Sequence, residues 1–560
     1  MPDTLIDWLR HHAQNQPKSL FARFLFADSE ETMDYGSTLE RTQQYAAAYR
    51  AAGVKKGEVV LVVIEHHIDL MPAFLGVMWL GAIPAFLPHP NPKIDPTRYY
   101  QNLKGLIDRS KPVAVMTSPA VCEKLADGLP EGPEKPSLLT MDLVTEERCE
   151  EPEPHVAEDV SCIQYSSGST GLQKGAALSH RAILAEIAGV EEFFEITEKD
   201  SFFTWVPLYH DWGLVCVALH ALKLGTIYTL QAPIDWVKKP VTAFQHVDKY
   251  KPTIYYHPNF AFNLMTQRIK DEDMQGLDIS SLRLVCNGAE PCFYESHRDF
   301  EERFKQWGLP EGSLGIVYGM AEVVNSVIAA GHKEPIVVDR VSREILQSEM
   351  RAEPMEGETS PQVQVLLGVG RGLRDTEFKI VDEKRETIAD RMVGEVAIRS
   401  RAAMHGYYGN DAATAASRDA DGWYFTGDMG YRVGEILFIT GRKSDMMIVG
   451  GVNIFPQDIE AIVGEHPQAV AGRIAAIGMD DPETGTQKIL LIVESKSEDP
   501  EVLKDIARFA RVEVSQRLDV VLSRVVHAPY TWLIKTTSGK IARIPNLKRL
   551  PELEPANRAT

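Results

Sequence analysis

A run of six apolar residues, from Val59 to Ile64, constrains the fold of this chain more than any other feature of its sequence. A strand that is apolar on both faces has to be covered on both faces, as in a parallel sheet that lies between layers of helices. Helical patterns over about 71–80 and 96–110 follow this run, and a second strand pattern covers 112–117. Because strands and helices alternate, the sequence predicts an α/β layer architecture.

Length, charge and cysteine content limit the class of protein. The 560 residues are too many for one ordinary core, and a hydrophobic content of 44% is enough to build two or more domains. The formal net charge of −20 argues against nucleic acid or an anionic membrane surface as the principal partner. The six cysteines form no Cys-x-x-Cys pair, so they favour neither a zinc site nor a disulfide framework. With a charged amino terminus and no apolar run of spanning length, we expect a soluble, cytoplasmic protein.

The pattern of predicted strands and helices changes twice towards the carboxyl terminus. From Glu377 onward, short alternating strand patterns predict a β-rich subdomain. The segment 442–445 then precedes a new set of strand and helix patterns, which predicts a second, smaller α+β domain. We therefore predict a large domain over 1–441, a hinge over 442–445 and a small domain over 446–560.

A glycine-rich stretch, Tyr165 to Gly175, follows an acidic linker at 146–159. It contains three glycines, four Ser or Thr hydroxyls and Lys174. Glycine lets the backbone approach a ligand closely, and N–H groups, hydroxyls and a cation together suit a phosphate. The order Lys174-Gly175 excludes the Walker motif. For a loop of this composition taken alone, a flexible connection is the alternative interpretation.

Three strand patterns in the large domain end in loops that are dense in small or polar residues. These loops are Pro258-Asn259-Phe260, Gly288-Ala289-Glu290-Pro291 and Gly319-Met320-Ala321-Glu322. Ligands of open α/β sheets bind beyond the carboxyl ends of the strands, so we expect the three loops to converge on one crevice.

Six motifs occur in a fixed order. They are the glycine-rich stretch, Tyr209-His210-Asp211, Gly288-Ala289-Glu290, Tyr318-Gly319-Met320-Ala321-Glu322, Tyr424-Phe425-Thr426-Gly427-Asp428 with Gly441-Arg442, and Thr537-Ser538-Gly539-Lys540. In this order they resemble the acyl-adenylate-forming, or AMP-binding, superfamily of ligases and adenylation domains. Four details are most similar to the fatty acyl-AMP ligase branch of this superfamily. They are the string Pro207–Leu214, the segment Asn287–Pro291, Ala321 and the segment Phe455–Glu460.

The resemblance implies an ATP-dependent reaction that joins a carboxylic acid to AMP and releases pyrophosphate. It implies that the β- and γ-phosphates are held by Ser166, Ser167, Gly168, Ser169, Thr170, Gly171 and Lys174. It also implies that the rest of the nucleotide is bound by Gly288, Ala289, Glu290, Tyr318, Gly319, Met320, Ala321, Asp428 and Arg442. In this interpretation Tyr318 stacks on adenine, and Asp428 accepts the ribose hydroxyls with help from Arg442. A simple turn-forming role is the alternative for Asp428.

The catalytic residues implied by the resemblance are Lys540, His210 and Glu322. Lys540 would bridge the substrate carboxylate and the α-phosphate, and Glu322 would ligate Mg²⁺ with Thr170 close to the ion. His210 would stand beside the acyl carbonyl. The alternative for Lys540 is a solvated lysine, that for Glu322 is a surface carboxylate, and that for His210 is a buried structural histidine.

The acyl pocket is expected to involve Tyr209, Trp212, Asn259 and Phe260, although for Phe260 taken alone ordinary core is the better interpretation. Trp212 stands where fatty acyl-AMP ligases commonly have Met, and an indole is bulkier and stiffer than a thioether. We therefore predict a shorter or differently shaped pocket.

The second half of the reaction is inferred from the resemblance alone. Residues 337–367 lie where the fatty acyl-AMP ligase branch carries an insertion, and by themselves read as a polar helix and loop. The implied acceptor is the phosphopantetheine arm of an acyl carrier protein in lipid, polyketide or nonribosomal peptide assembly. An acyl-CoA ligase is the close alternative, and a non-catalytic nucleotide-binding scaffold is a remote one. Ser444 replaces the usual Asp or Lys at the hinge of the mobile small domain, so the ease or completeness of the second step is in question. Gln173 replaces the usual Pro of the glycine-rich stretch and is expected to loosen that loop without removing a donor.

Overall fold

A computed structural model describes residues 2–90, 96–130, 132, 135–165, 174–356, 360, 362–449, 452–481, 486–536 and 540–553. Within this part of the chain, no helix is both long enough and apolar enough to cross a bilayer.

The largest sheet extends through most of the large domain. In hydrogen-bonded order its strands are Thr376–Val381, Gly394–Ser400, Tyr424–Val433, Ile436–Arg442, Val363–Gly372, Ile328–Gly331, Leu314–Tyr318, Leu284–Asn287, Ile254–Tyr256, Phe202–Thr204, Tyr228–Gln231, Leu20–Leu25 and Glu30–Asp34. The strand Val338–Ser342 pairs with Val363–Gly372 outside this path.

Four smaller sheets complete the strand content of the described residues. A parallel sheet has the order Ile83–Phe86, Val59–Val63, Ala114–Thr117 and Ser137–Thr140. The strands Gly406–Tyr407, Gly175–Ser179 and Val160–Tyr165 form the second sheet, and Met447–Val449 pairs with Val452–Ile454. In the small domain the order is Ala469–Asp481, Thr486–Ser495 and Leu522–Pro529.

Helices cover the faces of these sheets. Those before the hinge are Leu5–Asn15, Tyr35–Ala51, Leu70–Trp79, Pro96–Ser110, Pro119–Ala126, His180–Phe194, Asp211–Gly213, His220–Leu224, Pro233–Lys238, Val241–Tyr250, Asn259–Arg268, Tyr294–Phe304, Arg343–Ser348 and Asp411–Ser417. A π-helix covers Leu214–Leu219, and short 3₁₀ helices cover Met141–Leu143, Asp271–Met274, Lys305–Trp307, Ala321–Val323 and Leu550–Leu553. The small domain has Pro456–Gly464, Pro500–Leu518 and Arg543–Arg549.

The apolar run Val59–Ile64 forms a buried parallel strand over Val59–Val63. All five residues of Val59–Val63 are buried, and this strand has a parallel neighbour on each side. The helix Leu70–Trp79 is buried along its whole length and packs on the helix Tyr35–Ala51. The prediction of an α/β fold with a large mixed sheet is therefore confirmed.

The helix His180–Phe194 illustrates how local chemistry sets the element boundaries near the site. The Ser179 hydroxyl accepts a hydrogen bond from the Ala182 N–H group, which satisfies one of the free donors at the helix start. The helix ends where Glu195 adopts the left-handed conformation. Apolar residues at 183, 187 and 190 are buried against the large sheet, and Glu186 lies among them.

The three predicted loops follow neighbouring parallel strands. Ile254–Tyr256 pairs in parallel with Leu284–Asn287, which pairs in parallel with Leu314–Tyr318. Their carboxyl ends therefore lie at one edge of the sheet, and the loops that start at residues 257, 288 and 319 emerge together.

The β-rich stretch is antiparallel and is continuous with the large sheet. Its connection runs through Ile328–Gly331, which pairs with Leu314–Tyr318 on one side and with Val363–Gly372 on the other. The insertion-like stretch 337–367 contains the strand Val338–Ser342 in addition to a short helix, so it is more ordered than a polar helix and loop.

The small domain contacts the large one through polar and apolar groups. The Gln457 side chain donates a 2.6 Å hydrogen bond to the Thr440 carbonyl oxygen. Phe455 is buried in a cluster with Val341 and Leu346 of the insertion-like stretch. The strand Ile436–Arg442 ends at the start of the predicted hinge. The division of the chain at 442–445 nevertheless stays a prediction, because no separate observation tests it.

Candidate active site

His210, Asp211 and Trp212 form a compact turn at the start of a helical segment. His210 Nδ1 lies 2.6 Å from Asp211 Oδ1, and the Trp212 N–H group donates to the same oxygen over 2.8 Å. The short first distance indicates that Nδ1 carries the proton and donates it to Asp211. Burial alone would raise the pKa of Asp211, but His210, the Trp212 N–H group and the charge of Lys540 together hold it below its ordinary value. The turn therefore presents an imidazole of fixed orientation.

The Tyr209 backbone connects this turn to the strand that leads into the glycine-rich stretch. The Gln164 side-chain amide donates a 3.0 Å hydrogen bond to the Tyr209 carbonyl oxygen. Residues 166–171 of the predicted phosphate loop, and Leu172 and Gln173 after them, lie outside the described residues. Lys174 is described, and its Nζ lies 4.9 Å from the centre of the Tyr407 ring.

Glu322 is buried beside the same tyrosine. The Tyr407 hydroxyl donates a 2.8 Å hydrogen bond to Glu322 Oε1, and the Tyr424 hydroxyl lies 3.2 Å from that of Tyr407. Lys174 and Glu322 are distant in sequence, but both contact Tyr407, the first at the ring and the second at the hydroxyl. The sequence interpretation missed Tyr407, because no spacing or motif marks a tyrosine that approaches from a separate strand.

Asp428 and Arg442 are directly opposite each other in an antiparallel pair of strands. Arg442 Nε lies 2.7 Å from Asp428 Oδ1, and the Tyr318 hydroxyl donates a 2.8 Å hydrogen bond to Asp428 Oδ2. The negative charge of Asp428 raises the pKa of Arg442, despite the opposing effect of burial. The structure thus brings together three residues that the sequence assigned to adenine and ribose. It adds one feature, since the Tyr318 hydroxyl orients Asp428.

Two glycines permit the close packing of the loops between these groups. A Cβ atom on Gly288 would lie 2.7 Å from the Val317 carbonyl oxygen and 3.5 Å from Cη2 of Trp212. A Cβ atom on Gly319 would lie 1.6 Å from the Asn325 carbonyl oxygen. Ala289, between Gly288 and Glu290, has a positive φ of 65°. Such backbone strain in a non-glycine residue is concentrated at ligand sites.

Glu290 lies in the loop after the strand Leu284–Asn287 and is hydrogen-bonded to the helix Asn259–Arg268. Its Oε1 accepts a 2.5 Å hydrogen bond from the Phe260 N–H group. Burial raises the pKa of the Glu290 carboxyl, and this effect is opposed by the Phe260 N–H group and by the charges of Lys535 and Lys540. Both lysines belong to the small domain, so Glu290 marks where the two domains face each other.

Lys540 extends from the small domain towards the large one. The Lys540 N–H group donates to the Thr536 hydroxyl over 3.1 Å, and the Thr536 N–H group donates to the Lys540 carbonyl oxygen over 2.7 Å. Residues 537–539 between them lie outside the described residues. The Lys540 residue is solvent-exposed, but the surrounding protein desolvates its ammonium and, with the charge of Arg442, lowers its pKa. Asp428, Asp211 and Glu290 act in the opposite direction.

Lys540 is thus exposed to solvent while its charge interacts with acidic groups from three separate parts of the chain before the predicted hinge. The cleft is bordered by the His210 turn, the Asp428 pair and the Glu290 loop.

The predicted acyl-pocket residues divide between two apolar clusters. Trp212 is buried in the main core, where its ring packs edge-on against Tyr256 with 5.7 Å between centroids. Phe260 instead packs against Trp205 in the second core cluster. The Asn259 side chain is engaged with Ser296 and Asn287. The structure therefore brings Tyr209 and Trp212 together beside the cleft but places Phe260 in a different cluster.

Ser444, in the predicted hinge, is exposed, and its hydroxyl donates a 3.1 Å hydrogen bond to Asp445. Asp445 in turn pairs with Arg543, three residues after Lys540, over 3.1 Å. This ion pair links the predicted hinge to the helix Arg543–Arg549, which follows Lys540.

Comparison with known proteins supports the same architecture. The family model described as AMP-binding enzyme matches residues 9–408. The chain is 28% identical to the long-chain-fatty-acid–AMP ligase FadD26 of Mycobacterium marinum over 97% of its own length and 96% of that protein. It is 26% identical to the medium-chain-fatty-acid–[acyl-carrier-protein] ligase JamA of Moorena producens, covering 96% of this chain and 94% of JamA.

Among solved structures, a chain from studies of fatty acyl-adenylate ligases of E. coli and L. pneumophila superposes with a TM-score of 0.91. That pair is 26% identical, and 99% of each chain is covered. Together with the family match over most of the large domain, these similarities establish that the chain belongs to the AMP-binding enzyme family and is similar to its fatty acyl-AMP ligases.

Proposed function

We propose that this chain is an ATP-dependent acyl-AMP ligase that activates a small-to-medium carboxylic acid. A carboxylate oxygen forms a bond to the α-phosphorus of ATP as the bond from that phosphorus to the oxygen bridging to the β-phosphorus breaks. Pyrophosphate leaves with the electron pair of the broken bond, and a mixed acyl-AMP anhydride remains. Because two anions have to meet, the main requirement is positive charge and N–H donors aimed at the reacting centre.

The observation that carries this proposal is the position of Lys540. Its ammonium comes from the small domain and interacts electrostatically with Asp211 and Asp428, which border the cleft from two different parts of the large domain. A cation there can contact the substrate carboxylate on the His210 side and the α-phosphate on the Asp428 side. We propose that Lys540 is catalytic, and that His210, fixed by Asp211, lies beside the acyl carbonyl.

We propose that the nucleotide is bound by the loops of the large domain. Tyr318 stacks on adenine, the backbone from Gly288 to Glu290 and the 319–321 segment line its edge, and Asp428 with Arg442 binds the ribose. Lys174 and the undescribed residues 166–171 hold the β- and γ-phosphates. The Asp428–Arg442 pair at 2.7 Å supports this assignment, because the arginine pre-orients a carboxylate acceptor.

We propose that Glu322 holds Mg²⁺ together with phosphate oxygens and Thr170. A lone buried carboxylate suits Mg²⁺, which is usually bound through one or two carboxylates and substrate phosphates and keeps several waters. When bound, the ion supplies positive charge at the phosphate oxygens. The 2.8 Å hydrogen bond from Tyr407 fixes the orientation of Glu322 for that role.

The size of the acid follows from Trp212. The indole is 1% exposed and its Cη2 atom stands 3.5 Å from where a Gly288 Cβ would lie, so it fills space next to the cleft. A long alkyl chain would have to displace this ring, which favours short acids.

We propose that the acyl group then passes to the phosphopantetheine thiol of an acyl carrier protein in the cytoplasm. The thiol sulfur bonds to the acyl carbon, AMP leaves, and the thiol proton passes to solvent. JamA, by its printed name, is an acyl-carrier-protein ligase, and its similarity over nearly the whole chain supports this acceptor.

Contacts of the insertion-like stretch bear on this second step. The Gln364 side chain donates a 3.1 Å hydrogen bond to Asp458 of the small domain, and Asn453 of the small domain donates to the Gln347 carbonyl oxygen over 3.4 Å. A rotation of the small domain about 442–445 has to break both contacts. We therefore expect adenylation to be faster than thioester formation.

The test is a panel of carboxylic acids assayed with ATP and Mg²⁺ for acid-dependent pyrophosphate exchange. The best acid is then offered coenzyme A or a phosphopantetheinylated carrier protein as acceptor. Exchange followed by thioester on the carrier alone supports the proposal, and thioester on coenzyme A indicates an acyl-CoA ligase. Absence of exchange with every acid would overturn the proposal and favour a nucleotide-binding scaffold.

A further inference from the structure

A group of buried polar side chains lies near Trp212 and is separate from the residues that we propose bind the nucleotide. Glu186, from the helix His180–Phe194, accepts a 2.9 Å hydrogen bond from the Ser326 N–H group at its Oε1 atom. The Cys216 thiol lies 3.6 Å from the same oxygen and 3.2 Å from Asn325 Oδ1. None of these residues is needed for the adenylation chemistry proposed above.

Three polar atoms in this group have no hydrogen-bond partner among the described residues. They are Glu186 Oε2, the Tyr256 hydroxyl and Trp212 Nε1, and their residues are 3%, 1% and 1% exposed. Most buried polar groups in native proteins are paired, and an unpaired one lowers stability. Several unpaired atoms in neighbouring side chains next to a ligand cleft therefore suggest that a ligand pairs with them.

Two contacts connect these side chains: the Trp212 ring packs on Tyr256, and Cys216 in the same helical segment approaches Glu186. Trp212 directly follows His210 and Asp211, and its ring contacts Tyr256. Cys216, one turn further along, belongs to the π-helix Leu214–Leu219 and reaches Glu186. Single-turn π-helices are frequently found at functional sites.

The backbone opposite this group is strained. Val324 has φ 70° and ψ −64°, a conformation that is an outlier for a β-branched residue. The strained residue directly precedes Asn325 and Ser326, which contact Cys216 and Glu186, and it follows Glu322 by two positions. Strain of this kind persists where the surrounding structure serves a ligand site. One short segment thus connects the proposed magnesium ligand to the buried polar group.

We propose that the acid activated by this chain carries a hydroxyl group, alcoholic or phenolic, at the end distant from its carboxylate, and that Glu186, Tyr256 and Trp212 bind that hydroxyl. This inference rests on the proposed function, because it concerns the acid that is adenylated. Trp212 limits the length of the acid, and its Nε1 atom, the Tyr256 hydroxyl and the Glu186 carboxyl select the distal group.

A hydroxyl matches the donors and acceptors that are present. It donates one hydrogen bond and accepts up to two, whereas the Trp212 indole can only donate and the Tyr256 hydroxyl can do both. Burial raises the pKa of Glu186 to about 8, so its carboxyl is protonated and neutral at pH 7. A neutral acid pairs with a neutral hydroxyl, whereas an ammonium group would call for an ionised carboxylate.

The test compares acids of equal length that end in methyl, hydroxyl or ammonium groups, using pyrophosphate exchange with the full chain, ATP and Mg²⁺. We expect kcat/KM to be higher for the hydroxy acid than for the matched alkyl acid by at least about tenfold, because the alkyl acid leaves the buried polar atoms unpaired. Tyr256→Phe should reduce that preference about tenfold, as expected for one lost hydrogen bond.

Tyr255→Phe is the matched control. Tyr255 is the neighbouring residue of the same strand, but it packs into the second core cluster with Trp205 and Trp236. We expect this variant to keep the wild-type preference for the hydroxy acid. Glu186→Gln provides a second variant if Tyr256→Phe does not fold, and it should likewise reduce the ratio of kcat/KM for the hydroxy acid to kcat/KM for the matched alkyl acid.

The outcomes distinguish this inference from the proposed function. Exchange with alkyl acids that equals or exceeds exchange with hydroxy acids overturns the inference and leaves the adenylating function intact. Preference for the ammonium-bearing acid also overturns it, since Glu186 would then bind as a carboxylate. Absence of exchange with all acids contradicts the proposed function and the inference together.

Discussion

Asp428 and Glu186 are both buried carboxylic acids beside the same cleft, but the protein treats them in opposite ways. Both oxygens of Asp428 have protein partners, from Arg442 at 2.7 Å and from the Tyr318 hydroxyl at 2.8 Å. Among the described residues, Glu186 has a hydrogen-bond partner at Oε1 only, and burial raises its pKa to about 8. The proposed nucleotide side of the cleft is thus charged and pre-oriented, while the proposed acid side is neutral and partly unpaired. Burial alone does not define a carboxyl group; its partners decide whether it is an ion or a neutral donor.

The largest expected effect concerns the cation that faces both halves of the cleft. Lys540→Ala should lower the rate of acid-dependent pyrophosphate exchange by on the order of 10²–10³, as for loss of one preorganised donor at the reacting centre. Lys504→Ala is the control, because Lys504 is exposed on the helix Pro500–Leu518 and forms an ion pair with Glu501 at the surface. Unchanged exchange in Lys540→Ala would refute the catalytic assignment.

A variant of Asp428 tests the proposed nucleotide side of the cleft. Asp428→Asn should raise the KM for ATP on the order of 10- to 100-fold, since it weakens charge-assisted hydrogen bonds and leaves Arg442 without its partner. Asp390→Asn serves as the control, because Asp390 makes a similar 2.7 Å pair with Arg432 on the exposed surface of the β-rich stretch. Equal KM values for the two variants would contradict a ribose-binding role.

A variant of Trp212 tests the proposed limit on the length of the acid. Trp212→Met should shift the preferred acid to longer chains, with a gain of about tenfold for an acid two methylenes longer, since each buried methylene contributes about 0.8 kcal/mol. Trp236→Met removes the same volume from the second core cluster and should lower stability without changing the chain-length profile. A profile of Trp212→Met that peaks at the same acid as the wild type would disprove the size limit.

The smallest expected effect concerns stability and pH at Glu186. Its folded-state pKa of about 8 lies above the ordinary value of 4.5, so between these values the folded state binds more protons than the unfolded state. This group therefore lowers stability progressively as pH rises from its ordinary pKa to the folded one. Glu186→Gln lacks the titrating group, so its melting temperature should fall less than that of the wild type between pH 6 and 8, by roughly 2 °C.

Glu191→Gln is the matched control for that measurement. Glu191 lies on the same helix, and although burial would raise its pKa, His220 and Lys223 hold it below its ordinary value. Its stabilising contribution is complete above its ordinary pKa, so its removal should not alter the change between pH 6 and 8. If Glu186→Gln and wild type show the same pH dependence, Glu186 is not the neutral group that the comparison requires.

Several features of the site could be predicted because they depend on local order along the chain. The loops after residues 256, 287 and 318 were expected to converge, and the parallel pairing of their strands confirms it. The Asp428 and Arg442 motifs are joined by cross-strand pairing, which brings two residues of adjacent strands face to face. Roles assigned to individual residues stay predictions, and those in 166–171 lie outside the described residues.

Other features could not be predicted, because they depend on contacts between distant segments. Tyr407 reaches Glu322 from a strand that pairs with Gly175–Ser179, and nothing near Tyr407 in the sequence indicates this. Phe260 was predicted to belong to the acyl pocket with Trp212, yet it packs in a separate cluster from its position in the helix Asn259–Arg268. The neighbours of a helical side chain depend on the direction in which it leaves the helix and on how the whole helix packs.

The sequence by itself determined the α/β architecture, the order of the nucleotide-binding motifs and the family, since buried strands, glycine-rich turns and spaced charges are written in neighbouring residues. Only the tertiary structure decided that the charges of Asp211 and Asp428 act on Lys540, that Cys216 approaches Glu186, and that Tyr256 packs against Trp212. The physical reason is that a hydrogen bond or a buried charge depends on which groups share a volume, and that sharing is set by the packing of sheets, helices and domains.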